Sequence, residues 1–277
     1  MEINIPLLQG LSLKISDTLD DGKAYSTGHL QKGFLLLDYG ENLAEEAVGF
    51  GVPVLKRGLQ TIFPGSVALT CSQRNSTWEI SALFKLNLVE KISNRENENV
   101  ESKLLYTVKN FLAATIRNIP ALRSLLTAVS SKLRRMLNWE TTYAEADFST
   151  QIKILYSIES STGKMIVEID TIDLPSGITE VVVMNEHGAH YFDKYLDTSG
   201  ISIHGEEIGC WDEVSAEESR FESTARRVTF NLGQVKGARL FRGRELIDSR
   251  LAWAGFGYSF PPSIKKLRYE MKIERLT

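Results

Sequence analysis

The chain has 277 residues, of which 43% are hydrophobic and 24% charged, and its formal net charge is -3 at pH 7. These values are typical of a folded globular protein and argue against a disordered or fibrous chain. The small negative charge gives no general attraction to nucleic acid, and charged or polar groups interrupt every apolar stretch before it reaches membrane-spanning length. We therefore expect no nucleic-acid partner and no transmembrane segment. The N-terminus lacks the pattern of a secretory signal, which predicts a cytoplasmic protein.

Strand-like alternation dominates the first ninety residues. Five strands are predicted, over residues 6–16, 29–39, 48–56, 61–73 and 78–92. Glycines and prolines are dense between residues 38 and 65. This density predicts bulges, tight turns or close backbone approach in that segment.

The hydrophobic period becomes helical between residues 100 and 137. Two apolar stripes occupy residues 104–119 and 122–137, and Pro120 separates them because its ring suits a first turn but not a helix interior. The pattern predicts a helical hairpin around residues 100–138, with Asn99 as its first cap. Its excess of Lys and Arg fits either a solvated face or a docking surface for a protein partner.

Alternation resumes after residue 139. Two hairpins are predicted, one joining 151–159 to 164–170 and one joining 180–186 to 190–196 across His187 and Gly188. Further strands are predicted over residues 226–232, 238–241, 245–248, 250–260 and 264–276. The predicted fold is mainly β: a large antiparallel β-sandwich, as one domain over 1–277 with a helical insertion at 99–139. The alternative is two β domains, 1–98 and 140–277.

The chain has two cysteines, Cys71 and Cys210. They are far apart and follow no C-x-x-C spacing, so we expect buried, reduced thiols. No metal-ligand cluster or nucleotide loop is recognisable, so neither a metal nor a cofactor is expected.

The segment Glu186-His187-Gly188-Ala189-His190 places one carboxylate and two imidazoles within five residues. Histidine titrates near neutrality, so Glu186, His187 and His190 are candidates for acid–base catalysis. Spacing of i, i+3 in a strand sends the two rings to opposite faces, and only a folded turn would bring both to one ligand. The alternative is a hairpin tip with an exposed His187 and a strand-start His190.

Two further segments carry candidate ligand-binding residues. Phe256 and Tyr258 share a parity with small residues between them, which predicts either accessible rings for stacking a sugar or base, or a core stripe. Trp211 precedes Asp212 and Glu213, which suits stacking beside an acid–base pair; the alternative is an acidic loop with Trp211 partly buried. The candidate ligand-binding residues are Trp211, Arg242, Arg244, Trp253, Phe256 and Tyr258, and the candidate catalytic residues are Glu186, His187, His190, Asp212 and Glu213.

The long antiparallel strands, the segment Gly-Phe-Gly-Val-Pro-Val-Leu at residues 49–55 and the late hairpins with aromatics resemble a β-supersandwich. That fold occurs in galactose-mutarotase-like proteins and in polysaccharide lyases and hydrolases. The resemblance covers the pattern of most of the chain and includes no specific motif. Mutarotase-like enzymes use a histidine acid and a glutamate base, but neither aligns with a position of this chain.

The resemblance implies a protein that recognises a carbohydrate or another polar small molecule, with action on a sugar or glycoside left open. The alternative hypothesis is a non-catalytic interaction protein that uses the basic helical pair at 100–138. Fold similarity alone does not decide between them.

Overall fold

A computed structural model describes residues 1–17, 31–45, 47–58, 60–94, 139–171, 173–248 and 251–276. These residues form strands and one short 3-10 helix, Gly205–Ile208. The strands are β1 (Glu2–Pro6), β2 (Leu11–Ser16), β3 (Leu35–Asp38), β4 (Glu41–Asn42), β5 (Gly49–Arg57), β6 (Gln60–Arg74), β7 (Thr77–Asn94), β8 (Trp139–Glu159), β9 (Lys164–Asp170), β10 (Glu180–His187), β11 (Lys194–Asp197), β12 (Ser202–His204), β13 (Asp212–Val214), β14 (Glu218–Ser223), β15 (Val228–Gly233), β16 (Arg239–Asp248), β17 (Leu251–Phe260) and β18 (Lys266–Arg275).

The strands form two antiparallel sheets. The small sheet has the order β1-β2-β3-β4, and the large, fourteen-stranded sheet has the order β12-β11-β14-β15-β18-β9-β8-β7-β6-β5-β10-β17-β16-β13. The prediction of a mainly β protein with a large antiparallel sheet is confirmed. The predicted helical insertion falls on residues 95–138, outside the described residues, and the described part of the chain contains no α-helix that would support it.

The large sheet folds over itself to form a sandwich. Alternation along β18 is regular, with every second side chain buried, as expected of a strand with one wet face. Aromatic rings from the two halves meet between the layers: Phe50 of β5 lies 5.0 Å from Phe230 of β15, and Phe256 of β17 lies 4.9 Å from Phe221 of β14, measured between ring centroids. The core side of β5, β10 and β17 therefore faces β11, β14 and β15.

The two ends of the large sheet are joined by a short connector. β12 and β13 occupy opposite ends of the strand order, yet only residues 205–211 separate them in sequence. Seven extended residues span at most about 25 Å. The two edges of the folded sheet are therefore held close together, and this connector carries both the 3-10 helix and Trp211.

The glycine-rich segment behaves as predicted. Gly51 adopts a φ of +76°, and an added Cβ would lie 2.5 Å from the ring of Tyr156, whose hydroxyl donates to the Gly51 carbonyl at 2.7 Å. The register between β5 and β10 shifts between Met184 and Asn185, as in a β-bulge. Glycine is needed at residue 51 for its backbone conformation and for the close approach of the tyrosine.

Both sheets contribute to one hydrophobic core. Side chains of the small sheet, such as Ile5, Leu13 and Leu36, are fully buried in the same cluster as the aromatic rings of the large sheet. A polar contact crosses the junction: the Leu36 backbone N–H donates to Nε2 of His187 at 2.7 Å. The small sheet is therefore fixed to β10 by both apolar and polar contacts.

Two local predictions are wrong. His187 and Gly188 do not form a hairpin tip, because β10 pairs with β5 and β17 while β11 pairs with β12 and β14. The turn after β10 instead carries the chain from one layer to the other. Cys71 and Cys210 are not joined by a disulfide, and both are exposed rather than buried as predicted. Among the described residues, no helix is long and apolar enough to span a membrane.

Candidate functional site

The two faces of β17 carry different side chains. Phe256 and Tyr258 point into the sandwich and have no exposed surface, so the prediction that small neighbours leave these rings accessible is wrong. The small residues Gly255 and Gly257 instead lie on the opposite, outer face of the strand together with Trp253. The alternating aromatic stripe is core, and the glycine stripe faces outward.

Two indoles lie over this glycine stripe. Trp211 stacks on Trp253 with 5.0 Å between ring centroids and 27° between planes. A Cβ at residue 257 would lie 2.6 Å from the Trp211 ring, and one at residue 243 would lie 2.6 Å from the Trp253 ring. The missing side chains therefore provide the space that the indoles occupy.

Trp211 has an unusual backbone. Its φ is +57°, a left-handed conformation that bulky residues rarely adopt, and its side chain is partly exposed. Such conformations persist where the surroundings fix them, and they are common at ligand sites. The connector between the sheet edges thus holds Trp211 on the outer face at some cost in backbone strain.

Glu186 lies on the same outer face, opposite Gly255. The residue is 3% exposed, and its Oε1 has no hydrogen-bond partner among the described residues. Burial, with repulsion from Glu245, raises the pKa of Glu186 to about 8. At neutral pH this carboxyl is therefore mainly protonated and able to donate a hydrogen bond.

Glu245 is a site residue that the sequence analysis missed. It pairs with Trp253 across β16 and β17, and its Oε2 accepts a hydrogen bond from Nε1 of Trp253 at 3.3 Å. The shared parity of Gly243 and Glu245 in β16, set against Trp253 in the hairpin register, is the signal that could have identified it. We call Glu186, Trp211, Glu245 and Trp253 the outer-face site.

Arg244 links two loops at the end of this site. Its backbone N–H donates to the Gly209 carbonyl at 2.8 Å, next to the Trp211 segment. Its guanidinium donates to the Ala189 carbonyl at 2.9 and 3.3 Å, next to His190. Burial lowers the pKa of Arg244. Through these hydrogen bonds, Arg244 fixes the connector relative to the turn after β10.

His190 is held by Glu45. Its backbone N–H and its Nδ1 contact the two carboxylate oxygens of Glu45 at 3.1 and 2.6 Å. Gly188 makes this possible, because an added Cβ would overlap the Glu45 carboxylate. The His190 side chain is 51% exposed, so the Glu45 contact leaves much of the imidazole ring open to solvent.

His187 lies on the opposite face of β10 from Glu186. It has no exposed surface and its ring lies 4.0 Å from that of Phe50, so the predicted exposure of His187 is wrong. Burial lowers its pKa to about 3, with partial compensation by the Glu186 backbone. His187 is thus a neutral core histidine that binds the small sheet.

Asp212, Glu213 and Arg242 do not join the indoles as a group. Asp212 and Arg242 are paired across β13 and β16, 4.0 Å apart, and Arg242 lies 4.2 Å over the Tyr195 ring. Glu213 points to the other face, toward Arg239 at 3.9 Å. Adjacent strand residues face opposite sides, so Asp212 and Glu213 are not placed to act together on one bond.

No group of three or more His, Cys, Asp or Glu side chains in the described ranges is arranged to hold a metal ion. The polar and aromatic groups of the outer-face site are its two indoles and its two carboxyl groups, next to the backbone of Arg244.

The fold is similar to that of a carbohydrate-acting enzyme. The complex of the α-N-acetylgalactosaminidase NagBb from Bifidobacterium bifidum with GalNAc matches with a TM-score of 0.50 and 10% identity over 99% of this chain and 36% of that chain. The ligand-free form of NagBb matches with a TM-score of 0.47 at the same identity and coverage. This chain thus spans about a third of the length of NagBb, and at this identity the similarity concerns the fold. No protein-family model matches the chain, and a comparison with characterised proteins gives no match by sequence.

Proposed function

We propose that the chain recognises a carbohydrate at the outer-face site. The observation that carries this proposal is the Trp211–Trp253 stack, held over a glycine stripe beside the buried carboxyl of Glu186. Indole faces bind the apolar C–H surface of a sugar ring, and nearby polar groups fix its hydroxyls. The partly exposed Trp211 would supply the stacking surface.

The two carboxyl groups would have different roles. A mainly protonated Glu186 both donates and accepts hydrogen bonds, whereas Glu245 already accepts one from Nε1 of Trp253. Among the residues predicted as catalytic, we therefore propose Glu186 as a hydrogen-bond donor to a sugar hydroxyl, and a role for His190 stays a prediction.

The fold supports this proposal at a coarse level. NagBb, by its name, acts on α-N-acetylgalactosamine, and its matching region covers nearly all of this chain. A fold can host many functions, so the ligand must be established at the site itself. The galactose-mutarotase-like assignment and the cytoplasmic location stay predictions, and the proposed helical partner surface lies outside the described residues.

A sugar panel tests the proposal. Mono- and oligosaccharides are titrated into the protein while tryptophan fluorescence and amide chemical shifts are followed. We expect at least one sugar to perturb Trp211 or Trp253, Trp211→Ala to abolish its binding, and Trp211→Phe to retain part of it. Tyr39→Ala, at an 80% exposed aromatic on the small sheet, is the matched control and should bind normally. The proposal is wrong if no sugar perturbs either indole at millimolar concentration.

A further inference from the structure

The outer-face site holds two neighbouring carboxyl groups. Glu186 and Glu245 are close enough for Glu245 to raise the pKa of Glu186. Within the part of the chain that the structure describes, no ion pair reaches either carboxyl group. The nearest arginines in sequence are directed elsewhere, Arg242 toward Tyr195 and Arg244 toward the Ala189 carbonyl.

An independent observation concerns a single atom. Oε1 of Glu186 is buried, and within the described ranges of the chain it has no hydrogen-bond partner, although the residue is almost completely enclosed. Native proteins rarely leave a buried polar atom unpaired, and each such case suggests a bound group that satisfies it. The atom shares the outer face with Glu245 and the indoles, so the missing partner would arrive from the ligand side.

The indoles favour a positively charged group as that partner. A cation near the face of a tryptophan is attracted by the ring quadrupole, and the attraction increases where water is excluded. An ammonium group would donate hydrogen bonds to Glu186 and Glu245, and its positive charge would favour the ionised form of Glu186. A neutral sugar would stack on Trp211 without offering that charge, and a carboxylated sugar would bring a further negative charge to the two carboxyl groups.

We propose that the outer-face site selects an amino sugar, that is, a 2-amino-2-deoxyhexose or its oligomer with a free ammonium group placed between Glu186 and Glu245. This inference rests on the proposed carbohydrate function and specifies its ligand. The sugar ring stacks on Trp211, and the ammonium group supplies the donors that Oε1 of Glu186 lacks.

Matched ligands test this selectivity. Oligomers of glucosamine, N-acetylglucosamine, glucose and glucuronic acid are titrated into the full chain at pH 7 by calorimetry. We expect the glucosamine oligomer to bind at least about tenfold more tightly than its acetylated counterpart, a ratio that corresponds to about 1.4 kcal/mol. The glucuronic acid oligomer should bind most weakly.

Isosteric variants separate selectivity from stacking. Glu245→Gln keeps an acceptor for Nε1 of Trp253, and Glu186→Gln keeps a neutral group in the buried position. Each should reduce the preference for the free amine, measured as the ratio of the affinities for the glucosamine and glucose oligomers, several-fold. The charge-matched control is Glu79→Gln, at an exposed residue of β7 far from the site, and it should leave the preference intact.

The outcomes distinguish the two proposals. If sugars bind in a Trp211-dependent manner but the amine and acetylated forms bind equally, the carbohydrate function stands and the amino-sugar inference is wrong. If Glu79→Gln lowers the preference as much as Glu245→Gln does, general charge attraction explains it and the inference is also wrong. If no oligomer binds, both proposals are wrong.

Discussion

The two faces of β17 differ in the size of their side chains, with aromatic residues on the inner face and glycines on the outer face. On the inner face, Phe256 and Tyr258 fill the core with their own side chains. On the outer face, Gly255 and Gly257 contribute no side chains, and the space above the strand is filled by Trp211 from the connector. On β17, large side chains form the core on one face, and the absence of side chains makes room for the candidate site on the other.

The two faces of β10 show a matching contrast in electrostatics. Glu186 and His187 are neighbours, and both are almost completely buried. Burial favours the neutral form of each, so the pKa of the acid rises and the pKa of the base falls. The outer face thus holds a protonated acid while the inner face holds an unprotonated base.

The largest expected effect separates the packing roles of the two faces. Phe256→Ala should lower the free energy of unfolding by about 3–5 kcal/mol, because it leaves a cavity among fully buried rings. Trp211→Ala, at a partly exposed indole, should cost only about 1 kcal/mol. Urea denaturation followed by circular dichroism measures both. Equal losses would mean that Trp211 is as much a core residue as Phe256.

The next effect concerns the outer carboxyl. The folded-state pKa of Glu186, about 8, exceeds the ordinary value of 4.5, so the stability contribution of this group is present below pH 4.5 and is lost as the pH rises through 8. Glu186→Gln removes this loss. The variant should match the parent near pH 4.5 and exceed it by up to about 4 kcal/mol near pH 8. A stability difference that stays constant with pH would contradict the assigned burial of Glu186.

The inner histidine should show the opposite dependence. Its folded-state pKa, about 3, lies below the ordinary 6.5, so stability is present above pH 6.5 and is lost as the pH falls toward 3. In His187→Gln an oxygen can still accept from the Leu36 N–H, but the ring contacts are lost. We expect the variant to be about 1–2 kcal/mol less stable at pH 7, with a gap that narrows on acidification. Denaturation curves at several pH values test this, and a widening gap would be inconsistent with a neutral core histidine.

The smallest expected effect on stability tests the glycine stripe. Gly257→Ala introduces a Cβ 2.6 Å from the Trp211 ring, in a backbone region that alanine adopts freely. Trp211 can move outward, so we expect a loss of no more than about 1 kcal/mol but a clear loss of sugar affinity and a change in tryptophan fluorescence. Gly200→Ala, where an added Cβ meets no atom within 4 Å, is a control for ligand affinity only, because its φ of +90° strains an alanine and lowers stability by itself. If Gly257→Ala binds sugar with unchanged affinity, the glycine stripe is not part of the binding site.

The sequence predicted most of the large-sheet strands because their periodicity is local. The β8–β9 hairpin and the glycine-rich irregularities around β5 follow from turn chemistry and glycine spacing. The prediction of a hairpin at His187 and Gly188 was wrong, because the same turn residues also occur where a chain crosses from one layer of a sandwich to the other. Whether two successive strands pair with each other depends on their pairing with distant strands, and hydrophobic periodicity gives no information about that pairing.

The candidate site was less predictable for a related reason. Trp211 and Glu186 were recognised as chemical groups, but their convergence depends on a connector that joins two sheet edges. Glu245 was missed because it follows Arg244 in a polar stretch and gains its role only from the register with Trp253. Phe256 and Tyr258 were ambiguous, since an alternating stripe does not reveal which face meets the second layer.

The joined edges of the large sheet also bear on behaviour at high protein concentration. Exposed strand edges are the usual starting points for fibrils and for exchange of strands between molecules. In this sheet the terminal strands, β12 and β13, are three residues long and are joined by residues 205–211. Such short edges give an incoming strand few backbone groups to pair with. The connector that positions the candidate ligand platform thus also limits self-association through the ends of the large sheet.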